Sequence, residues 1–138
     1  MLKKDALTVD GLLFIDETKL DRQNNEQPRL VFRYGRKHAK AVEELDIADS
    51  NLKLVKAEID EQIRQNPAAF GVEKVTEAAV QNAILRTKEY QTALADMITK
   101  KRDVNDMGAI MNGLDHRRTS IGHALTMQQS GYMSGRKL

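Results

Sequence analysis

Two prolines, Pro28 and Pro67, bound a long stretch of this chain that can form one helix. Proline lacks a backbone donor and disfavours helix in the residue before it, but it fits the first turn of a helix. The stretch between them follows a heptad pattern whose two core positions hold Val31, His38, Leu45, Leu52 and Ile59, and Tyr34, Ala41, Ala48, Val55 and Gln62. Most of these residues are apolar or aromatic, so the period predicts a coiled-coil-like helix over 28–66.

The composition indicates an all-α fold. Glycine (8), proline (2) and aromatic residues (4%) are scarce among the 138 residues, while 41% are hydrophobic, so the chain can bury a core but lacks the usual residues of turns and sheets. We expect long helices that form a helical hairpin or a coiled-coil-like bundle in a single domain, 1–138. Its predicted parts are an N-terminal segment and connector (1–27), the long basic-to-acidic helix (28–66), a second long helix (72–113), a C-terminal amphipathic helix (114–129) and a flexible tail (130–138).

The charge is distributed unevenly, although 22 basic and 20 acidic residues nearly cancel. Residues 1–42 and 100–138 are net positive, residues 43–64 are net negative, and 29–40 hold five cations and no acid. Helical geometry places Arg33, Arg36 and Lys40 within about 40° of Arg29, with Lys37 and Phe32 beside them. Such a face can follow a phosphate backbone, and Phe32 could stack on a base. The alternative interpretation is a solvated outer face of a helix.

Other patterns are weaker. Lys53 and Lys56 lie one turn apart and add to the predicted DNA-binding set. His116 and His123 are seven apart and would need further metal ligands. Neither a phosphate-binding glycine loop nor a nucleophile motif occurs, which predicts a protein that is not an enzyme and needs no cofactor. The absence of cysteine, of a long apolar run and of a signal-peptide core predicts a cytoplasmic protein without a membrane span.

Several strings resemble the phage UvsY-type recombination mediator proteins. The resemblance begins with Phe-Ile-Asp-Glu-Thr-Lys-Leu at 14–20, continues after sixteen residues with Lys37-His38, and includes Leu-Val-Lys-Ala-Glu-Ile at 54–59. Leu114-Asp115 and the basic amphipathic segment after them are also similar. One departure concerns a DNA-binding motif of the Leu-Lys-Ala-Arg-Leu type in that family, since Glu58 stands here in place of its arginine.

The resemblance implies a small helical protein that binds single-stranded DNA as a ring-shaped homo-oligomer, a hexamer or heptamer. Such a protein loads a RecA-like recombinase onto DNA covered by a single-strand DNA-binding protein, in phage recombination, repair and replication. It would then work in the host cell cytoplasm. In that family the C-terminal part self-associates, which implies oligomerisation through Leu114, Ile121 and Leu125.

A second class of function remains open. The same long helices could belong to a structural or assembly adaptor, such as a phage scaffold, that does not bind nucleic acid. The basic face would then meet an acidic partner, for example the 43–49 region of another subunit.

Overall fold

The structure, a computed structural model, describes residues 9–131, and every regular element in that range is helical. The elements in chain order are α1 (Val9–Leu13), a 3-10 helix (Glu17–Lys19), α2 (Leu20–Gln65), a second 3-10 helix (Pro67–Phe70), α3 (Glu77–Arg86) and α4 (Lys88–Gln129). The two long helices, α2 and α4, pack against each other, which confirms the predicted all-α hairpin. No helix within 9–131 is long and apolar enough to cross a membrane. Most of the predicted tail lies outside the described residues.

The packing divides the chain into two compact units, where the sequence predicts a single domain. The first unit holds residues up to Ala39 together with those from Asp106 onward, and the second holds Lys40–Asn105. Both long helices contribute to both units. Each unit has its own buried side chains.

The first long helix begins at Leu20, eight residues before the predicted start. Asp16 caps the preceding 3-10 helix, because its Oδ1 accepts hydrogen bonds from the Thr18 backbone N (2.9 Å) and hydroxyl (2.6 Å). The side-chain bond and then the backbone bond from Thr18 hold the pKa of Asp16 below its ordinary value. Leu20 is buried at the first turn of α2. The Phe-Ile-Asp-Glu-Thr-Lys-Leu string therefore forms the capped entry to the long helix.

Pro28 lies inside α2 and does not start it, which corrects the predicted boundary and places 20–27 in the helix instead of a connector. A proline in a helix interior leaves one carbonyl of the preceding turn without a donor. Pro28 and Asn24, one turn before it, are both exposed, so water can satisfy that carbonyl. The steric rule behind the prediction is correct, but an exposed site tolerates the exception.

The predicted second helix, 72–113, is wrong at both ends. Residues 71–76 form a turn, a bend and irregular backbone before α3, and a break at Thr87 separates α3 from α4. The Thr87 hydroxyl donates to the Ile84 carbonyl at 2.7 Å and accepts from the Tyr90 backbone N at 3.4 Å. Its backbone is extended, with ψ at 144°. One threonine thus ends α3 and begins α4, a local capping signal that the apolar periodicity does not register.

The C-terminal segment 114–129 is the last part of α4 and is not a separate helix. The prediction of a boundary rested on Gly108 and Gly113, since glycine destabilises helix interiors. In the structure a Cβ added at Gly113 would lie 2.7 Å from Leu13 Cδ1. Gly113 therefore lets α1 pack closely against α4, and packing explains this glycine where helix termination does not.

In the second unit the core is apolar. It consists of Ile59, Ile63, Val72, Val80, Ala83 and Ile84. Ala41 and Ala48, both predicted core residues, are buried as well, but Gln62 is exposed and Ile63 is fully buried in its place. The heptad seam has thus moved by one residue at the end of α2. A straight helix has 3.6 residues per turn, so a strict 3.5-residue repeat drifts around its surface.

The first unit buries polar groups beside its apolar residues. Gln27 and Arg117 are both buried. Gln27 Nε2 donates to the Leu114 carbonyl at 2.7 Å, Arg117 Nη1 donates to Gln27 Oε1, and Arg117 Nε donates to the Phe14 carbonyl at 3.4 Å. Burial lowers the pKa of the Arg117 guanidinium, an effect that the Glu26 carboxylate partly offsets. These three bonds tie the N-terminal segment and α2 to α4.

Two of the three predicted oligomerisation residues belong to this core. Leu114 and Ile121 are both 0% exposed within a single chain, and Leu125 is half-buried. Their apolar spacing along the helix was correctly recognised, but their packing partners are in the same chain. The assignment of Leu114 and Ile121 to contacts between subunits is therefore corrected.

Candidate nucleic-acid interface

The first unit carries a row of cations on the outer side of α2, here called the basic face: Arg29, Arg33, Arg36 and Lys37, together with the aromatic Phe32. All five side chains are exposed. Among the described residues none of the four cations is ion-paired with a carboxylate. Their charges are therefore available to an external anion.

The packing of α2 explains why these side chains point outward. Val31, Tyr34 and His38, on the other side of the helix, are half-buried. His38 also lies close to α4, with its Nε2 3.9 Å from the position of a Cβ on Gly108. With that side turned inward, helical geometry directs Arg29, Arg33 and Arg36 to solvent. The heptad pattern thus fixes the orientation of the basic face.

Two rings accompany the cations. The Arg36 guanidinium carbon lies 5.8 Å from the centroid of the Phe32 ring, and Lys37 Nζ lies 4.8 Å from that of Tyr34. Both distances are in the range of cation–π attraction, which holds the cation near the ring. Phe32 remains 67% exposed, so most of its ring is in contact with solvent. The basic face thus presents an exposed aromatic surface among positive charges.

One further cation, Arg22, extends this row and is not among the residues predicted from the sequence. Because α2 begins at Leu20, Arg22 lies on the helix seven residues before Arg29 and within about 20° of it. Arg22 Nε contacts Glu26 Oε1 at 3.1 Å, and both side chains are largely exposed. An exposed pair of this kind is weak and is readily exchanged for another anion. The signal was present in the sequence, but 21–27 was interpreted as a connector.

The other three predicted DNA-binding cations belong to the second unit. Lys40 is its first residue and is exposed. Lys53 Nζ contacts Asp49 Oδ2 at 3.1 Å, so part of its charge is compensated, whereas Lys56 has no ion pair among the described residues. Lys53 and Lys56 line an open groove of about 360 Å³ with Ala57 and Asp60. The carboxylate of Asp60 makes this groove a poorer anion site than the basic face.

The basic face can neutralise phosphates and offer a stacking surface. Arginine donates to phosphate through a planar fork of N–H groups, and an exposed ring can stack on an unpaired base. Within residues 9–131, no group of three histidine or carboxylate side chains is placed to hold a metal ion. His116 and His123 are exposed there. The chemistry that this surface favours is therefore the binding of a polyanion.

The support for polyanion binding by the basic face is structural and does not come from similarity to known proteins. No protein-family model matches this chain, and comparisons with curated proteins and with solved structures give no match.

Proposed function

We propose that this protein binds single-stranded DNA through the basic face and acts as a recombination mediator. The observation that supports DNA binding most directly is the basic face itself, four exposed cations that have no acid partner within residues 9–131 and that lie around the exposed ring of Phe32. Each phosphate neutralised by such a cation releases counterions, which favours binding and makes it sensitive to salt.

The exposed ring favours a single strand over a duplex. In a duplex the faces of the bases are covered by their neighbours, whereas an unpaired base can leave the stack and lie on an aromatic side chain. Phe32 is 67% exposed, with Arg29 three residues before it and Arg36 four residues after it. A strand that follows these cations would bring its bases within reach of the ring.

The mediator role rests on the resemblance to the UvsY-type proteins. In that role the protein holds the strand, displaces the single-strand DNA-binding protein and presents the DNA to a RecA-like recombinase. A ring-shaped homo-oligomer would repeat the basic face, and neighbouring sites would raise the effective local concentration, so that avidity could exceed the affinity of one site about 100-fold. Because Leu114 and Ile121 are buried within one chain, such a ring would have to use other residues for its contacts.

DNA binding can be tested by fluorescence anisotropy with a labelled oligothymidylate at two salt concentrations. We expect the double substitution Arg33→Glu/Arg36→Glu to lower affinity about 10-fold or more and to reduce the salt dependence, because it removes two phosphate contacts and adds repulsion. The matched control is Lys101→Glu/Arg102→Glu, which makes the same change in net charge at two exposed cations of α4. An unlabelled duplex of equal length should compete poorly.

Three results would contradict this assignment. Unchanged affinity in the Arg33→Glu/Arg36→Glu variant would exclude the basic face as the DNA site. An equal loss in the control variant would show an effect of net charge alone. A complete lack of DNA binding at low salt would favour the structural or assembly adaptor.

The mediator role needs a separate measurement. We expect the protein to raise the DNA-dependent ATPase rate of a RecA-like recombinase on single strands covered by a single-strand DNA-binding protein. The Arg33→Glu/Arg36→Glu variant should not do so. DNA binding without any such stimulation would leave a DNA-binding protein that is not a mediator.

A further inference from the structure

The second unit exposes a pair of large apolar side chains on the outer side of α2. Ile47 is 62% exposed and Leu54 is 57% exposed. They are seven residues apart and therefore nearly in line, about 10 Å apart along the helix axis. The buried residues Ala48, Ile59 and Ile63 lie on a different side of the same helix. Nothing within residues 9–131 buries the exposed pair.

Carboxylates border this pair. Glu43, Glu58 and Glu61 lie within about 40° of Ile47 around the helix and are exposed. Among the described residues none of the three is ion-paired with a cation; the contact of Glu61 is a hydrogen bond from the neutral Gln65 Nε2 at 3.2 Å. We call these five residues, Glu43, Ile47, Leu54, Glu58 and Glu61, the acidic-apolar face.

Some other acids of the second unit are ion-paired, unlike the three carboxylates of this face. Glu44 Oε2 lies 3.7 Å from Lys100 Nζ, and Asp60 Oδ1 lies 2.7 Å from Arg64 Nε. On α2, Lys53 and Lys56 are about 120° or more from Ile47, whereas the exposed Lys40 lies within about 20° of it, one turn before Glu43. Among the described residues none of these lysines is ion-paired with a carboxylate of this face. The acidic-apolar face therefore combines exposed apolar area with a net negative charge, three carboxylates against the one lysine.

We infer that the acidic-apolar face is a docking surface for a basic amphipathic helix of a partner protein. The complementary helix would carry two large apolar side chains about two turns apart, flanked by lysine or arginine. The apolar pairs supply the contact area, and the opposite charges select the partner and its orientation. This inference uses none of the residues of the basic face, so it does not depend on the proposed DNA binding.

A second copy of the chain is a poorer occupant. Two helical surfaces within residues 9–131 have the right charge, the basic face and the segment 98–102 of α4, and each exposes one large apolar side chain, Phe32 and Ile98 respectively. A single side chain cannot cover both Ile47 and Leu54. The spacing on the acidic-apolar face therefore favours a partner with two apolar contacts.

The probe for this inference is a labelled synthetic helical peptide with two leucines seven residues apart and lysines around them. Its binding to the full chain is followed by fluorescence anisotropy. We expect Ile47→Ser/Leu54→Ser and Glu43→Gln/Glu58→Gln each to weaken binding about 10-fold or more, and we expect a peptide with both leucines replaced by serine to bind weakly. Because these side chains are exposed, circular dichroism should show unchanged helix content in both variants.

The chain offers a matched control. Leu85 and Ile98 are 53% and 50% exposed, and Ile98 has Lys101 and Arg102 three and four residues after it instead of acids. The substitution Leu85→Ser/Ile98→Ser should leave peptide binding unchanged. Equal losses in this control, or unchanged binding in the Ile47→Ser/Leu54→Ser variant, would overturn the inference. It would also be overturned if sedimentation showed a self-associated protein that dissociates on Ile47→Ser/Leu54→Ser substitution, since a second copy would then cover the face.

Discussion

The two compact units bury different kinds of side chain in their interiors. In the second unit the buried cluster is made of aliphatic side chains, with Ile63, Val80 and Ile84 at 1% exposure or less. In the first unit, Leu114 and Ile121 are accompanied by the buried polar pair Gln27 and Arg117. Aliphatic burial gives stability without direction, whereas hydrogen bonds between buried groups require defined partners. The difference suggests that the second unit is held mainly by packing and that the first is aligned by specific bonds.

The two units also differ in the charge of their outer surfaces. The first unit carries the basic face, and the second carries the acidic-apolar face. Both lie on α2, and in both cases the inward-facing apolar residues of that helix determine which charges point to solvent. A helix whose seam is fixed can thus carry two surfaces of opposite charge at different positions along its length, which explains how a nearly neutral chain can have strongly charged local surfaces.

The largest expected effect comes from opening the aliphatic core. Ile63→Ala removes a side chain that is 0% exposed, so we expect a loss of about 2–5 kcal/mol in the free energy of unfolding. Leu54→Ala, on the exposed side of the same helix, should change it by about 0.5 kcal/mol or less. Urea unfolding followed by circular dichroism measures both. Similar losses in the two variants would show that Ile63 is not a core residue.

A smaller effect is expected from the polar pair. Arg117→Met leaves Gln27 Oε1 without its donor, which costs about 1–3 kcal/mol for an unsatisfied buried group. The double variant Gln27→Leu/Arg117→Met removes both polar side chains and should be more stable than the sum of the single changes predicts. A double-mutant cycle of unfolding free energies should give a coupling of about 0.5–3 kcal/mol. A coupling near zero would show that the two groups do not act together.

The smallest effect concerns the two helical glycines Gly113 and Gly122. Alanine is favoured over glycine in a helix by about 1 kcal/mol. A Cβ at Gly122 would meet no atom within 4 Å, so Gly122→Ala should raise the melting temperature. At Gly113 the new Cβ would lie 2.7 Å from Leu13, which must move, so Gly113→Ala should lose that gain. An equal rise in both variants would mean that α1 does not pack on Gly113.

The sequence predicted the features that depend on periodic burial. The period of the apolar residues predicts both the apolar seam of α2 and the outward direction of Arg29, Arg33 and Arg36, because a helix that buries one side must expose the other. A strict heptad could not predict that the buried position moves from Gln62 to Ile63. The drift of the apolar seam around the helix depends on how the helices pack.

Three helix boundaries were predicted wrongly from the sequence, each for a different physical reason. Pro28 was treated as a helix start, although an exposed proline inside a helix leaves only a carbonyl that water can satisfy. The break at Thr87 depends on two hydrogen bonds of one side chain, and apolar periodicity carries no information about them. Gly113 was interpreted as a weak point of the helix, while its role depends on contact with Leu13, a hundred residues earlier in the chain. The first two are local signals; the third needs the tertiary structure.

The hydrogen bonds around Arg117 also bear on the order in which the chain can fold during synthesis. Residues 40–105 are contiguous, so the ribosome releases every residue of the second unit before any of those that complete the first. The hydrogen bonds of Gln27 and of the Phe14 carbonyl cannot form until Leu114 and Arg117 have been synthesised, because the bonded residues are 87 to 103 positions apart in the sequence. Closing such long loops is entropically costly and slow compared with forming local contacts. A nascent chain can therefore complete its second unit while the segment of the first unit that carries the basic face still lacks the part of α4 against which it packs.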